Sequence, residues 1–232
     1  TNDNIRKFAL LGDPALNFAF PEHHVITAEI NNVSILESLD TLKALSEVII
    51  SGEMQDYLGN KLSEFNGFLF PTVYDKPSRY STLGNDPASS KATFYIQKNP
   101  LYKGKASIIN GEWSFSFIVP KDIAFDYGNG KISYYARSEN EDAAGNFTDF
   151  IVGGYNENAS SDNAGPLVKL YMNDENFIAG GVTNENPSML AFVSDDSGIN
   201  TVGNGIGHDI IANLDDDENF ILNDYVFYFY HI

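Results

Sequence analysis

The chain has 232 residues, of which 43% are hydrophobic and 13% aromatic, so it holds enough apolar surface to exclude a disordered acidic tail. Its 32 acidic and 14 basic side chains give a formal net charge of −18, which disfavours nucleic acid and anionic membrane surfaces as partners. The sequence contains no cysteine, and this excludes disulfides, thiolate metal sites and a cysteine nucleophile within the chain.

The N-terminal residues show no signal peptide, since no basic stretch precedes a short apolar run. No apolar run anywhere reaches the roughly 18 residues that a membrane-spanning helix needs. We therefore expect no membrane span in this chain.

Short runs of β-branched and aromatic residues, separated by glycine and asparagine turns, recur from residue 25 onwards. They predict strands at 25–30, 48–54, 65–74, 92–97, 105–109, 113–119, 131–136 and 148–152. Asn110-Gly111 is typical of a two-residue hairpin, and Asn129-Gly130 has the same turn chemistry. Strands of this length and spacing favour an all-β fold, in which two antiparallel sheets pack as an immunoglobulin-like β-sandwich.

Residues 34–46 fit two patterns. Ile35, Leu39 and Leu42 lie at helical spacing, whereas Leu42, Ala44 and the residues that follow alternate as a strand does. The alternation favours extended structure from about Lys43, with a short helical turn before it as the alternative.

A polar stretch without apolar periodicity separates two parts of the chain. We expect a first β-sandwich domain at 25–155, a linker at 156–165 and a second sandwich at 166–232. Strands of the second sandwich are predicted at 167–172, 188–193, 209–214 and 219–222.

Loop carboxylates are the candidate metal ligands. Asp195, Asp196, Asp215, Asp216 and Asp217 lie in predicted loops, where Ca²⁺ could find the six to eight oxygens it prefers. None follows EF-hand spacing, so solvated surface loops are the alternative. Calcium is the one possible cofactor, and no other cofactor is expected.

Other candidate sites are weaker. The glycines at 198–207 do not match a dinucleotide-binding fingerprint, and no helix pattern follows them. His208 beside Asp209 lacks a nucleophile that would complete a catalytic triad, and the histidines are too scattered for zinc. Trp113, with Tyr102, Tyr134 and Tyr135, could form a sugar-stacking surface or pack in the core.

Several segments together resemble one family. They are FALLGDPAL at 8–16, DTLKALS at 40–46, FNG at 65–67, LYKGKA at 101–106, FSFIVPKD at 115–122, GKISYYA at 130–136, GP at 165–166, LYMND at 170–174, GG at 180–181 and DSGINTVGNGIGHDI at 196–210. In this order they resemble the C-terminal region of gingipain-related signal peptidases (sortases) of the type IX secretion system of Bacteroidetes. Each motif alone is weak evidence for the family. Together they occur in the same order as in the family and cover nearly the whole chain.

The resemblance implies that residues 1–24 are the end of a caspase-like peptidase domain whose cysteine and histidine lie upstream. This chain would then be a non-catalytic accessory region at the cell surface, on the outer face of the outer membrane. It would support the removal of C-terminal sorting signals from secreted cargo. Its partners would be the upstream catalytic domain and components of the translocon or the cargo.

The end of the chain suggests a dimer. Residues 226–232 stop where related proteins continue into further strands, so the second sandwich is expected to lack strands. An incomplete sandwich exposes a sheet edge that can pair with another chain. The alternative function is a stand-alone adhesin or carbohydrate-binding module, although the segment at 8–16 has no role in such a protein.

Overall fold

The computed structural model describes residues 15, 20–86, 88–159, 164–196, 198–199, 209–215 and 218–223. All the regular elements in these residues are β-strands, which confirms the all-β prediction. The strands are β1 (His23–Ile30), β2 (Val33–Ser34), β3 (Leu42–Ala44), β4 (Glu47–Gln55), β5 (Gly67–Tyr74), β6 (Ser78–Ser81), β7 (Thr93–Ile96), β8 (Pro100–Lys103), β9 (Ala106–Ile109), β10 (Glu112–Ile118), β11 (Gly128–Asn129), β12 (Lys131–Arg137), β13 (Asp142–Phe147), β14 (Ile151–Tyr155), β15 (Leu167–Met172), β16 (Met189–Ser194), β17 (Ile211–Leu214) and β18 (Glu218–Ile221).

Seven of these strands form a closed barrel, in the order β12-β13-β1-β4-β10-β9-β5. The barrel closes because β12 pairs with β13 on one side and with β5 on the other, from Lys131 opposite Tyr74 to Arg137 opposite Phe68. β8 pairs with the same edge of β5 as β9 does, but nearer the end of β5. β2 pairs with the end of β1. A sandwich of two sheets was predicted here, and the immunoglobulin-like arrangement is not confirmed.

The barrel core follows from the alternation of apolar side chains. In β4 the residues Val48, Ile50 and Met54 face inward and are completely buried, while their neighbours face outward. β10 and β12 alternate in the same way. Each buried large apolar side chain contributes about 1.5–3 kcal/mol relative to an exposed one, so this interior holds the barrel together.

The hairpin prediction at Asn110-Gly111 is confirmed. Both residues have positive φ, 53° and 73°, and they join β9 to β10 with Ile109 opposite Glu112. This is the backbone of a type I′ turn, which asparagine and glycine adopt at low cost. The second predicted turn, Asn129-Gly130, is wrong, because Asn129 lies in β11 and pairs with Ile151 of β14.

Residues 34–46 contain no helix. β3 pairs with β14 in parallel, and its Leu42 and Ala44 are both buried. The alternating pattern therefore describes this segment better than the helical spacing. The segment is extended because β14 provides a strand with which β3 can pair. β11, β14 and β3 form a small sheet beside the barrel.

The described residues after 164 form two hairpins, β15 with β16 and β17 with β18. A third hairpin, β6 with β7, leaves the barrel after β5. The predicted bounds of domains and linker stay predictions, although β1 begins at His23, inside the predicted remnant. Most of the segment 8–16, His208 and the C-terminal residues 226–232 lie outside the described residues.

Candidate functional site

A groove of ≈ 480 Å³ lies at one end of the barrel. Its walls come from the connection after β5 and from the loop after β10. The residues that line it are Asp75, Lys76, Pro77, Ser78, Arg79, Tyr95, Asn99, Pro100, Leu101, Pro120, Asp122, Ile123, Ala124 and Asp126. It therefore lies where the β6–β7 hairpin leaves the barrel.

An ion pair at the base of the groove joins these two segments. The Lys76 ammonium donates to the Asp75 carboxylate over 3.0 Å and to the carbonyl oxygen of Ala124 over 2.7 Å. It also lies 3.9 Å from the exposed carboxylate of Asp126. Asp75 and Lys76 are each only 7% exposed, so the charges are compensated inside the protein. Through the hydrogen bond from Lys76 to Ala124, the pair links the loop after β10 to the end of β5.

The groove has donors and acceptors but no catalytic arrangement. The hydroxyl group of Ser78, which lines the groove, accepts a hydrogen bond from the Asn99 side chain over 3.2 Å. No histidine lines the groove, and its lysine is already engaged with Asp75 and Ala124. A serine without a base is a weak nucleophile. These residues can therefore bind a polar ligand, but they offer no nucleophile–base pair.

The two described histidines lie outside the lining of the groove. His23 and His24 lie in β1, and the His23 ring is 3.6 Å from the Glu141 carboxylate and meets Phe65 edge to face. His23 therefore packs against Phe65 and lies close to the Glu141 carboxylate. His208, the other histidine considered from the sequence, lies outside the described residues.

The calcium candidates are spread over two hairpins. Asp195 and Asp196 follow β16, Asp215 lies between β17 and β18, and Asp216 and Asp217 lie outside the described residues. Among the described residues, no three acidic or histidine side chains come together as a metal site would require. Calcium binding at these aspartates stays a prediction, which calorimetric titration with Ca²⁺ tests.

The aromatic residues considered for sugar binding lie mostly in the core. Trp113, Tyr102 and Tyr134 are at most 5% exposed, and Trp113 stacks on Phe115 with the ring centres 5.9 Å apart. Burial raises the pKa of both tyrosine phenols. Only Tyr135 of the four faces outward, at 43% exposure. The core-packing interpretation therefore applies to Trp113, Tyr102 and Tyr134.

Sequence reasoning missed the Asp75–Lys76 pair. The sequence does place two opposite charges, Asp75 and Lys76, between the end of an apolar strand and Pro77. Adjacent charges at a strand end are common in exposed turns, so burial could not be inferred without the loop that covers them.

Comparison with known proteins gives a match among solved structures. No protein-family model matches the chain, and no curated protein sequence matches it. The crystal structure of dimeric latent PorU from Porphyromonas gingivalis matches 93% of the chain, with 31% sequence identity and a TM-score of 0.62. The match covers 21% of the PorU chain, so this chain spans about a fifth of that protein's length. Over nearly its whole length the chain is PorU-like in structure, as its resemblance to the signal peptidases of the type IX secretion system predicts.

Proposed function

We propose that this chain is a non-catalytic β-rich region of a PorU-like cysteine peptidase, which removes C-terminal sorting signals from cargo of the type IX secretion system. The observation that carries the proposal is the match to PorU over 93% of a chain that contains no cysteine. A thiol nucleophile would have to come from another part of the protein. The chain would then support the catalytic part rather than perform the reaction.

The closed barrel suits a supporting role. Closure leaves few unpaired strand edges, and a filled interior keeps the outer surface fixed in shape. Such a platform can hold a neighbouring catalytic domain, cargo or translocon component in position. The immunoglobulin-like arrangement of residues 166–232, with missing strands, is part of this proposal.

The proposed location is the outer face of the outer membrane, at the cell surface, and it follows from the similarity to PorU. Among the described residues, no helix is long and apolar enough to cross a membrane.

A dimer is part of the proposal as well. The two-stranded sheets β15–β16 and β17–β18 offer strand edges that a second chain can extend. The matching PorU structure is of a dimeric, latent form. Sedimentation of the purified chain over a range of concentrations tests this. A monomer at every concentration would contradict it.

The alternative, a stand-alone adhesin or carbohydrate-binding module, loses most of its proposed contact surface. Its stacking residues were Trp113, Tyr102, Tyr134 and Tyr135, and the first three are buried. A sugar platform needs aromatic faces that are open to solvent.

A chimera tests the secretion role. In PorU of Porphyromonas gingivalis, the matched fifth of the chain is replaced by this sequence, and removal of cargo sorting signals is followed in cells that lack native PorU. We expect processing to be restored in part. The control is the same chimera carrying Leu69→Asp, which places a charge in the barrel core and should abolish processing. No processing by a chimera that is folded and at the cell surface would contradict the proposal.

A further inference from the structure

The chain contacts the same end of the barrel before and after the β15–β16 hairpin. Asn156 follows β14, and its backbone N–H donates to the carbonyl oxygen of Ala44 over 3.0 Å. Gly198 follows β16 and lies against the side chain of Ile118, the last residue of β10. The hairpin lies between Asn156 and Gly198 in the chain, so the barrel holds it on its entry side and on its exit side.

The two contacts are neighbours on the barrel. Val119, which follows Ile118, accepts a backbone hydrogen bond from Leu45 over 2.9 Å and donates one to Ser46 over 3.0 Å. The side-chain amide of Asn156 reaches the carbonyl oxygen of Leu45 over 3.4 Å. The turn before β4 therefore connects the entry contact with the exit contact. We call the set that forms them the junction: Ala44, Leu45, Ile118, Asn156 and Gly198.

Leu45 fixes the shape of the junction. Its φ is 60°, in the left-handed region, where the other non-glycine residues of the described chain are asparagines and one aspartate. A bulky side chain keeps this conformation only when its surroundings determine it. Here the hydrogen bonds to Val119 and from Asn156 do so. The turn is thus a defined surface on which the rest of the junction is built.

Gly198 fits the junction because it has no side chain. Its φ of 85° is inexpensive only for glycine, and its N–H donates to the carbonyl oxygen of Asp195 over 3.1 Å. A Cβ atom at this position would lie 2.7 Å from the Cβ atom of Ile118 and 3.3 Å from its Cγ2 and Cδ1 atoms. Carbon atoms in favourable contact are about 3.5–4.0 Å apart. One added methyl group would therefore force Gly198 away from the barrel.

Ile118 is the barrel's part of this contact. Phe115 and Phe117 point into the core, so Ile118 faces outward, yet it is only partly exposed. The contact that covers it is small. Small interfaces within a chain leave relative motion as the default, so the orientation of the hairpin depends on each contact that remains.

We propose that the junction holds the β15–β16 hairpin in one orientation relative to the barrel, and that the contact of Gly198 with Ile118 closes it. When the junction is closed, the hairpin and the barrel move as one body, and the free strand edges of the hairpin point in a fixed direction. When Gly198 leaves Ile118, the hairpin keeps only the entry contact at Asn156 and reorients. This holds whether or not the chain has the secretion role.

Distances between two spin labels test the proposal. The chain contains no cysteine, so Ser114→Cys on β10 and Lys169→Cys on β15, both exposed, are the only labelled positions. Gly198→Ala adds the methyl group at the contact. Gly180→Ala is the matched control, because Gly180 has almost the same φ, 84°, and no heavy atom lies within 4 Å of the added carbon.

A second pair of variants disturbs the contact from the barrel side. Ile118→Lys places a charge under Gly198, whereas Ile109→Lys places it on an outward isoleucine of β9, opposite the first residue of β10. Emission of the buried Trp113, measured before labelling, shows whether the barrel of each variant is folded.

We expect one narrow distance distribution in the parent chain and in both controls. Gly198→Ala and Ile118→Lys should shift and broaden it. A broad distribution in the parent chain would overturn the proposal, since the hairpin would then have no fixed orientation. Equal broadening by Gly180→Ala would assign the effect to backbone conformation and contradict the contact. A distribution that either Gly198→Ala or Ile118→Lys leaves unchanged would show that this contact does not close the junction.

Discussion

The hydroxyl groups of Thr27 and Tyr134 lie 2.7 Å apart inside the barrel and join residues separated by 107 positions. Both residues are 3% exposed. Thr27 lies in β1 and Tyr134 in β12, with β13 between these strands in the sheet, so the hydrogen bond crosses the interior rather than a neighbouring ladder. Each hydroxyl group satisfies the other in a place that water does not reach.

Replacement of Tyr134 by phenylalanine should therefore be costly. The variant leaves the Thr27 hydroxyl group buried without this partner, and we expect a loss of about 1–3 kcal/mol in the free energy of unfolding. Urea denaturation measures it. Thr27→Val/Tyr134→Phe removes both hydroxyl groups and should recover much of that loss. A double variant as unstable as the sum of the single variants would show that the two hydroxyl groups do not interact.

Alkaline pH should destabilise the fold through Tyr102 and Tyr134. Burial raises the pKa of both phenols, and the hydrogen bond from Thr27 offsets only part of the rise at Tyr134. An unfolded tyrosine ionises near pH 10, so above that pH the unfolded state loses protons that the folded state retains. The stabilising contribution is complete below about pH 10 and declines as the pH rises towards the folded pKa, by about 1.4 kcal/mol per pH unit for each group.

The measurement is urea denaturation between about pH 8 and pH 11, a range that spans the ordinary tyrosine pKa. Tyr102→Phe should make the decline less steep, because one of the two titrating groups is gone. An identical slope in the variant and the parent chain would show that Tyr102 does not contribute.

The Asp75–Lys76 pair gives a third prediction. Lys76→Met leaves the Asp75 carboxylate buried without its counter-charge, which should cost about 3–5 kcal/mol of stability. The matched control is Lys61→Met, which breaks an ion pair with the more exposed Glu112 and should cost less than about 1 kcal/mol. Thermal denaturation distinguishes the two. Similar losses at both positions would mean that the burial of Lys76 has no energetic consequence.

Much of the strand content could be predicted because apolar alternation determines which side chains face inward. Each predicted strand overlaps an observed one, from β1 to β18. β13, with the sequence DAAGNF, was missed because small and polar residues give no strand signal. Its place in the barrel comes from its partners β1 and β12.

The closure of the barrel could not be predicted in the same way. Alternation in β12 shows that Ile132, Tyr134 and Ala136 face inward, but it is equally compatible with one strand neighbour or with two. Pairing of β12 with β5 joins residues about 60 positions apart, and no local pattern records such a contact. The stacking of Phe70 on Tyr135 depends on that pairing, since the two rings become neighbours only when β5 and β12 meet.

Gly52 gives a prediction from packing. A Cβ atom at this buried position of β4 would overlap the carbonyl oxygen of Ile26 and the indole ring of Trp113. Gly52→Ala should therefore destabilise the barrel by about 1–3 kcal/mol or more. Gly165→Ala is the control, because no heavy atom lies within 4 Å of the added carbon. Urea midpoints measure both, and a neutral Gly52→Ala would mean that β1 and Trp113 can move apart.

Trp113 provides a direct optical test of the choice between core and sugar-binding surface. It is the only tryptophan in the chain and is 3% exposed, so its fluorescence reports this one position. We expect emission at short wavelength, weak quenching by iodide and no change on titration with oligosaccharides, since a ligand cannot reach the indole ring. Unfolding in urea should shift the emission to longer wavelength and restore quenching. A shift on addition of a sugar to the folded chain would contradict burial in the core, and would favour the carbohydrate-binding alternative over the supporting role proposed for the barrel.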